Sequence, residues 1–266
     1  INQEMAARFA EFRAKVLADE STSTLVEGGR TIVNTRSSVD PFLASSPRRD
    51  LREIVWRTSK RRGDNGDAND TKATITAIVR LRAERARLLG FPSHAHWRMA
   101  DTMAADPKTA QTFLLRVWPA VVSRVKAEVA ELQAIADREE HPITIEPWDC
   151  LYFAEKLRKA KYDLDEAEIR PYFELGNMVA AALWSAERRF GIAFKEITGS
   201  VPVFHPDVRV WEVVDKNSGA HRALFYLDNF ARTGKRSGAW ASSYRSQYTM
   251  GGAVTAISSN KREPSA

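Results

Sequence analysis

Residues 201–245, VPVFHPDVRVWEVVDKNSGAHRALFYLDNFARTGKRSGAWASSYR, limit the fold more than any other stretch. Helix-like sequence rich in Ala, Glu, Arg and Lys gives way here to three short β-branched and aromatic runs separated by turn signals. Residues 208–214 read as a strand with Val208, Val210, Glu212 and Val214 on one face and Arg209, Trp211 and Val213 on the other. Lys216-Asn217-Ser218-Gly219 closes a hairpin onto a return strand at residues 222–228. A third strand, residues 238–244, follows the polar loop Thr233-Gly234-Lys235-Arg236-Ser237. The expected architecture is mainly α: a multi-helical body with a small antiparallel β-sheet near the C-terminus. Residues 1–200 form the helical region, 201–258 the sheet region and 259–266 an irregular tail.

The remaining bounds come from charge and cysteine usage. Forty Lys and Arg against 34 Asp and Glu give a net charge of +6, with both signs interspersed along the helical stretches. No basic run is interleaved with stacking aromatics, so nucleic acid is not an expected partner. The single cysteine, Cys150, rules out an internal disulfide and suits a reducing compartment; with no base in view beside it, it is not expected to act as a nucleophile. No apolar run approaches the roughly 18 residues of a membrane span, and Ile1-Asn2-Gln3-Glu4 does not read as a signal peptide. No membrane partner and a cytoplasmic location are expected.

Upstream, the 3.6-residue period dominates. In residues 2–18, Met5, Phe9, Phe12 and Val16 form a core stripe while Glu4, Arg8, Glu11 and Lys15 face water. Residues 19–47 are Ser/Thr-rich, with one strand candidate at 31–35; Gly28-Gly29 reads as a turn, since no phosphate-binding glycine pattern surrounds it. Helices are expected from Pro47 to about Arg62 and over 72–89, the latter turning Ile75, Ile78, Val79, Ala86 and Leu89 inward. Between them Gly63-Asp64-Asn65-Gly66-Asp67 resembles a calcium loop only faintly, lacks its twelfth-position glutamate and reads as a linker. His94 and His96 lack a third ligand nearby and read as structural or surface histidines. Asp106-Pro107 starts a helix with Leu114, Val117, Val121, Val125, Val129 and Leu132 on its inner stripe, which Pro119 kinks or divides and His141-Pro142 ends. Two further helices follow, 147–161 and 174–190, the second burying Leu175, Met178, Val179, Ala182, Leu183 and Ala186. The acidic link between them, residues 163–168, reads as a solvated loop rather than an acid/base pair.

Six runs carry a resemblance: RRDLREIVWRTSKR (48–61), LRAERARLLG (81–90), WDCLYFAEKLRKAKYDLD (148–165), RPYFEL (170–175), HPDVRVWEV (205–213) and KRSGAW (235–240). The sequence is similar, collinearly over nearly its whole length, to the thimet-oligopeptidase family of zinc metallopeptidases. It is nearest to that family's bacterial peptidyl-dipeptidases (dipeptidyl carboxypeptidases) and oligopeptidase A. The resemblance implies a mostly helical protein from a two-lobed enzyme that hydrolyses short peptides with one zinc. That chemistry needs HExxH on a helix, its two histidines binding zinc and its glutamate acting as general base, plus a downstream glutamate. No His-Glu pair occurs in the 266 residues. Other departures are a short junction at 26–31, Cys150 and Phe153 where the family carries aromatic residues, and a tail, SSNKREPSA (258–266), that leaves the family pattern.

The expected function is therefore part of a peptidyl-dipeptidase-like zinc metallopeptidase, inactive alone, with no catalytic or metal-binding residue and no cofactor of its own. A truncated product, a fragment, or a relic turned to non-catalytic peptide binding or interaction are the forms this could take. In the family an edge strand beside the metal helix hydrogen-bonds the substrate backbone, and Gly238, Ala239 and Trp240 match that strand. Small residues there would let a peptide approach, and main-chain pairing is indifferent to sequence. The competing reading makes it an ordinary strand with Trp240 as core filler. Short peptides and a missing catalytic lobe are the implied partners. His205 is expected to be structural, and Lys235 and Arg236 to lie in a solvated loop rather than on a substrate carboxylate.

Overall fold

In the computed structural model, which describes residues 1–164, 166–232, 234–245 and 256–262, the chain divides into two compact units, Ile1–Arg158 and Lys159–Ala266. Asp165, Thr233 and residues 263–266, parts of the expected acidic link, loop and tail, lie outside the described residues.

The first unit is helical apart from one hairpin. Helix α1 (Asn2–Glu20) leads into strands β1 (Ser23–Leu25) and β2 (Thr31–Val33), paired antiparallel. Gly28 and Gly29, both at φ 74°, make the turn that the sequence suggests, a left-handed conformation open to glycine without strain. Helices α2 (Arg36–Ser45), α3 (Arg49–Lys60), α4 (Lys72–Leu88), α5 (His94–Met99), α6 (Pro107–Ala136) and α7 (Cys150–Tyr162) follow, the last turn of α7 passing into the second unit.

Helix α2 occupies sequence expected to be irregular. Ser37, Ser38 and Pro41 mask its helical period, yet Val39 and Leu43 sit on one face and are buried with Val26, Ile32 and Val55 in one core cluster. Burial of that face outweighs the weak local propensity. A second cluster joins Leu132 and Ala136 of α6 to Phe153 of α7.

Several expected inner faces are turned outward. Ile78 and Ala86 of α4 are buried as expected, but Ile75, Val79 and Leu89 are exposed, and Thr74 and Leu81 take the inner positions. The reason is polar. Glu11 accepts from Thr74 Oγ1 at 2.8 Å, and Lys15 Nζ donates to Thr74 Oγ1 and the Asp70 carbonyl. Helices α1 and α4 thus meet along the acidic and basic residues of α1 that the period assigns to water. On α6, capped by Asp106 as expected and continuous through Pro119 to Ala136, only Leu132 of the predicted stripe is buried.

Residues 63–71 are more than a linker. Asp19, at the end of α1 and 3% exposed, accepts from the Gly63 N–H at 2.6 Å and from the side-chain amides of Asn65 and Asn69, which winds the loop around one carboxylate.

The second unit carries α8 (Glu166–Ile169), a 3-10 turn (Arg170–Phe173), α9 (Leu175–Phe190) and a five-stranded sheet. Glu174 caps α9, and Gly191, at φ 64°, ends it. No described residue of α9 is fully buried; Leu175, Val179, Leu183 and Ala186 are half-buried, while Met178 and Ala182 are exposed. The strands are β3 (Ile192–Glu196), β4 (Arg209–Asp215), β5 (His221–Asp228), β6 (Ala239–Arg245) and β7 (Ala256–Arg262), in the order β3-β4-β5-β7-β6. Pairing is antiparallel except between β5 and β7, which run parallel. The sheet begins ahead of residue 201 with β3, and β7 crosses residue 258 into the stretch read as a tail. The hairpin at 216–219 forms as expected: Asp215 Oδ1 accepts from the Asn217 and Ser218 N–H groups, and Gly219 takes φ 71°. Strand β4, flanked on both sides, buries Val210, Trp211, Val213 and Val214 from both of its faces.

Candidate functional site

Gly238 directly precedes β6, and Ala239 and Trp240 are its first two residues. Among the described strands β6 is an edge, paired only with β7. Gly238 stands at φ 111°, where an L side chain is strained, although a Cβ there would meet no atom within 4 Å. The requirement for glycine is conformational rather than a matter of space. Trp240 is half-buried with the Arg236 guanidinium over its ring at 5.0 Å, so it is not fully buried core filler. Most of β6 is exposed.

The loop that leads from β5 to β6 holds an ionic cluster that sequence reasoning missed. Asp228 ends β5 and is 1% exposed. Its carboxylate accepts from Arg232 Nη1 at 2.6 Å and Nη2 at 2.9 Å, and from Lys235 Nζ at 3.2 Å. Lys235 Nζ also donates to the carbonyls of Asp228 at 2.9 Å and Phe230 at 2.7 Å. Burial pushes the Asp228 carboxyl up, and the bonds from Arg232 and Lys235 more than offset it, leaving it below the ordinary carboxylate value. Lys235 is therefore neither in a solvated loop nor available to a substrate carboxylate: its three protons are used inside the protein. The signal was present in the sequence, an Asp at the end of a strand run with Arg and Lys four and seven residues on.

A second buried carboxylate unites two of the quoted runs. Asp149, fully buried, accepts from Arg52 Nη2 at 2.7 Å, Arg49 Nε at 3.0 Å and the Glu146 N–H at 3.1 Å. Arg52 Nη1 continues to the Ser46 carbonyl at 2.7 Å, and its guanidinium lies over Tyr152 at 4.3 Å. This cluster joins α3 to the entry of α7 and does no visible chemistry.

Four of the five histidines, and the cysteine, make local contacts. His94 and His96 are two apart on α5, a spacing that aims them at different sides of a helix. His96 Nδ1 lies 2.8 Å from Ser93 Oγ; His94 packs beside Trp97, and burial, then Arg82, Arg85 and Arg98, push its pKa down. His205 Nδ1 accepts from the Asp207 N–H at 3.2 Å, the bonded role expected of it, and His221 meets Glu212 at 2.8 Å. Burial and Asp149 push the Cys150 thiol up, opposite to an activated nucleophile. Among the described residues no group of three or more His, Cys, Asp or Glu side chains could hold a metal ion, so this donor set does not fit a zinc site. No described helix is long and apolar enough to cross a membrane.

Among the described strands, then, the sheet of the second unit ends in an exposed edge strand opened by glycine. The sequence profile described as Peptidase family M3 matches residues 42–266, and the chain belongs to that family. It is 43% identical over 211 residues to the dipeptidyl carboxypeptidase of Escherichia coli (strain K12), covering 79% of this chain and 31% of that protein. Oligopeptidase A of Salmonella typhimurium is 35% identical over 204 residues (75% and 30%). The probable cytosolic oligopeptidase A of Arabidopsis thaliana is 34% identical over 231 residues (86% and 32%). The chain spans about a third of the length of these curated relatives.

Proposed function

We propose that this chain supplies peptide-binding structure of a family M3 metallopeptidase and is not by itself a hydrolase. Its β6 edge would take up the backbone of a short peptide as an added strand. The carrying observation is the placement of Gly238, Ala239 and Trp240 at the opening of an edge strand. Main-chain pairing supplies affinity without demanding a sequence, which suits an oligopeptide substrate. Zinc and its general base belong, on this proposal, to a catalytic lobe outside these residues, because the sequence contains no His-Glu pair. The names of the relatives support oligopeptides as substrates, and one of them supports a cytosolic setting.

A second reading, a non-catalytic peptide-binding protein derived from the family, rests on the same edge strand together with the missing zinc motif. Both predict binding without turnover. The test incubates the 266-residue chain with a quenched fluorescent oligopeptide, with added zinc and with chelator, while following binding by anisotropy. Binding without cleavage is expected; stoichiometric zinc with chelator-sensitive cleavage contradicts the proposal.

A further inference from the structure

We propose that Lys235 and Asp228 form a positioning latch that fixes where the edge strand β6 begins, and with it the capacity of that edge to hold a peptide. The inference rests on the peptide-binding reading of β6 for its functional half only.

Strands β5 and β6 are not neighbours, since β7 lies between them. No backbone ladder therefore joins the end of β5 to the start of β6, although the chain runs directly from one to the other. The register makes the relation specific. Asp228 on β5 and Trp240 on β6 both stand opposite Lys261 of β7, so the two share one row across three strands, roughly 10 Å apart at ordinary strand spacing. Lys235 folds back onto the β5 end of that row through its bonds to the Asp228 carbonyl and carboxylate and the Phe230 carbonyl. From that fixed point only two residues separate Lys235 from Gly238, whose φ of 111° turns the chain into β6.

The anchoring groups are buried, Asp228 at 1% and Lys235 at 9% exposure, which keeps water from competing for the ammonium. Arg232 holds both carboxylate oxygens in a bidentate pair, sharing Oδ1 with Lys235, which restricts the orientation of Asp228. Arg236, next to the anchored lysine, then lies over the Trp240 ring and carries the constraint onto the strand itself. Removing the latch should free the start of β6 while leaving β3, β4 and β5 paired.

The test compares the full chain with Lys235→Met and Lys235→Arg, reading amide exchange without peptide and then anisotropy of a labelled oligopeptide. Lys235→Met should speed exchange in β6 about tenfold, the loss expected of one charge-assisted hydrogen bond, and leave β4 unchanged. Peptide binding should weaken about tenfold in parallel, and Lys235→Arg, which keeps a buried cation with several donors, should recover part of both. Exchange in β6 at the wild-type rate overturns the latch. Faster exchange in β6 in a chain whose wild type binds no peptide upholds the latch and defeats the peptide reading alone. Should Lys235→Met lose protection throughout the sheet, Arg232→Ala decides: faster exchange confined to β6 supports the latch, and none overturns it.

Discussion

The ammonium of Lys235 sits 3.2 Å from the carboxylate and 2.9 Å from the carbonyl of Asp228, so one residue at the end of β5 receives a single cation at two of its oxygens. The ion pair has a pH signature. Burial raises the Asp228 carboxyl, and Arg232 and Lys235 lower it further than burial raises it, so its folded pKa is below its unfolded one. The contribution to stability is then complete above the unfolded value, about pH 3.9, and is lost as pH falls through the lower folded value. Urea unfolding at pH 7 and at pH 3 should show the native chain losing stability on acidification and Asp228→Asn losing less.

Asp149 offers the corresponding test in the helical unit. It has no exposed side-chain surface, and its removal strands Arg52, itself 2% exposed. Asp149→Ala should cost about 3–5 kcal/mol in chemical denaturation, the usual cost of leaving a buried charge without its partner. Asp40→Ala, which breaks the exposed pair with Arg36, should cost about 1 kcal/mol or less.

At Gly238 the conformation rather than the space restricts the residue, so a larger side chain should not be worse through contact. Gly238→Ala should destabilise the chain by about 1–3 kcal/mol, the cost of holding an L residue in a sparsely populated backbone region. Gly238→Val should cost at least as much. A thermal or urea melt in which Gly238→Ala equals the native chain contradicts the assigned φ.

Neighbours on α4 separate periodicity from packing. Ile78 is 5% exposed and Val79 is 56% exposed, although both belong to the apolar stripe of the sequence. Ile78→Ala should cost about 2–5 kcal/mol and Val79→Ala about 0.5 kcal/mol or less by equilibrium unfolding.

These contrasts show which levels of structure the sequence carried. The mainly helical body, the starts of α6 and α9 and the hairpin at 216–219 were legible because each depends on neighbours a few residues away: Asp106 before Pro107, Glu174 before Asn177, Asp215 before Ser218. The inner faces were less legible, because which stripe is buried depends on a partner. Thr74 turned inward to reach Glu11 across 63 residues of chain, and α2 formed on the burial of Val39 and Leu43 despite Pro41. Strand β3 was hidden by its short length directly after a helix, and the parallel partner β7 by the long-range pairing that defines it. At the candidate site Gly238, Ala239 and Trp240 could be named from the family resemblance, whereas the buried role of Lys235 was missed: its spacing from Asp228 was in the sequence, but a lysine between Gly234 and Arg236 reads as solvated until the loop is seen to fold back onto the end of β5.

The most direct measurement is amide exchange of the full chain with and without a short oligopeptide, resolved to individual strands. Added peptide should protect β6 (Ala239–Arg245), with smaller changes in β3 at the opposite edge of the sheet, and a backbone N-methylated version of the same peptide should protect it less. Binding that leaves β6 exchange unchanged, or no binding at all, contradicts the assignment of this edge to peptide recognition.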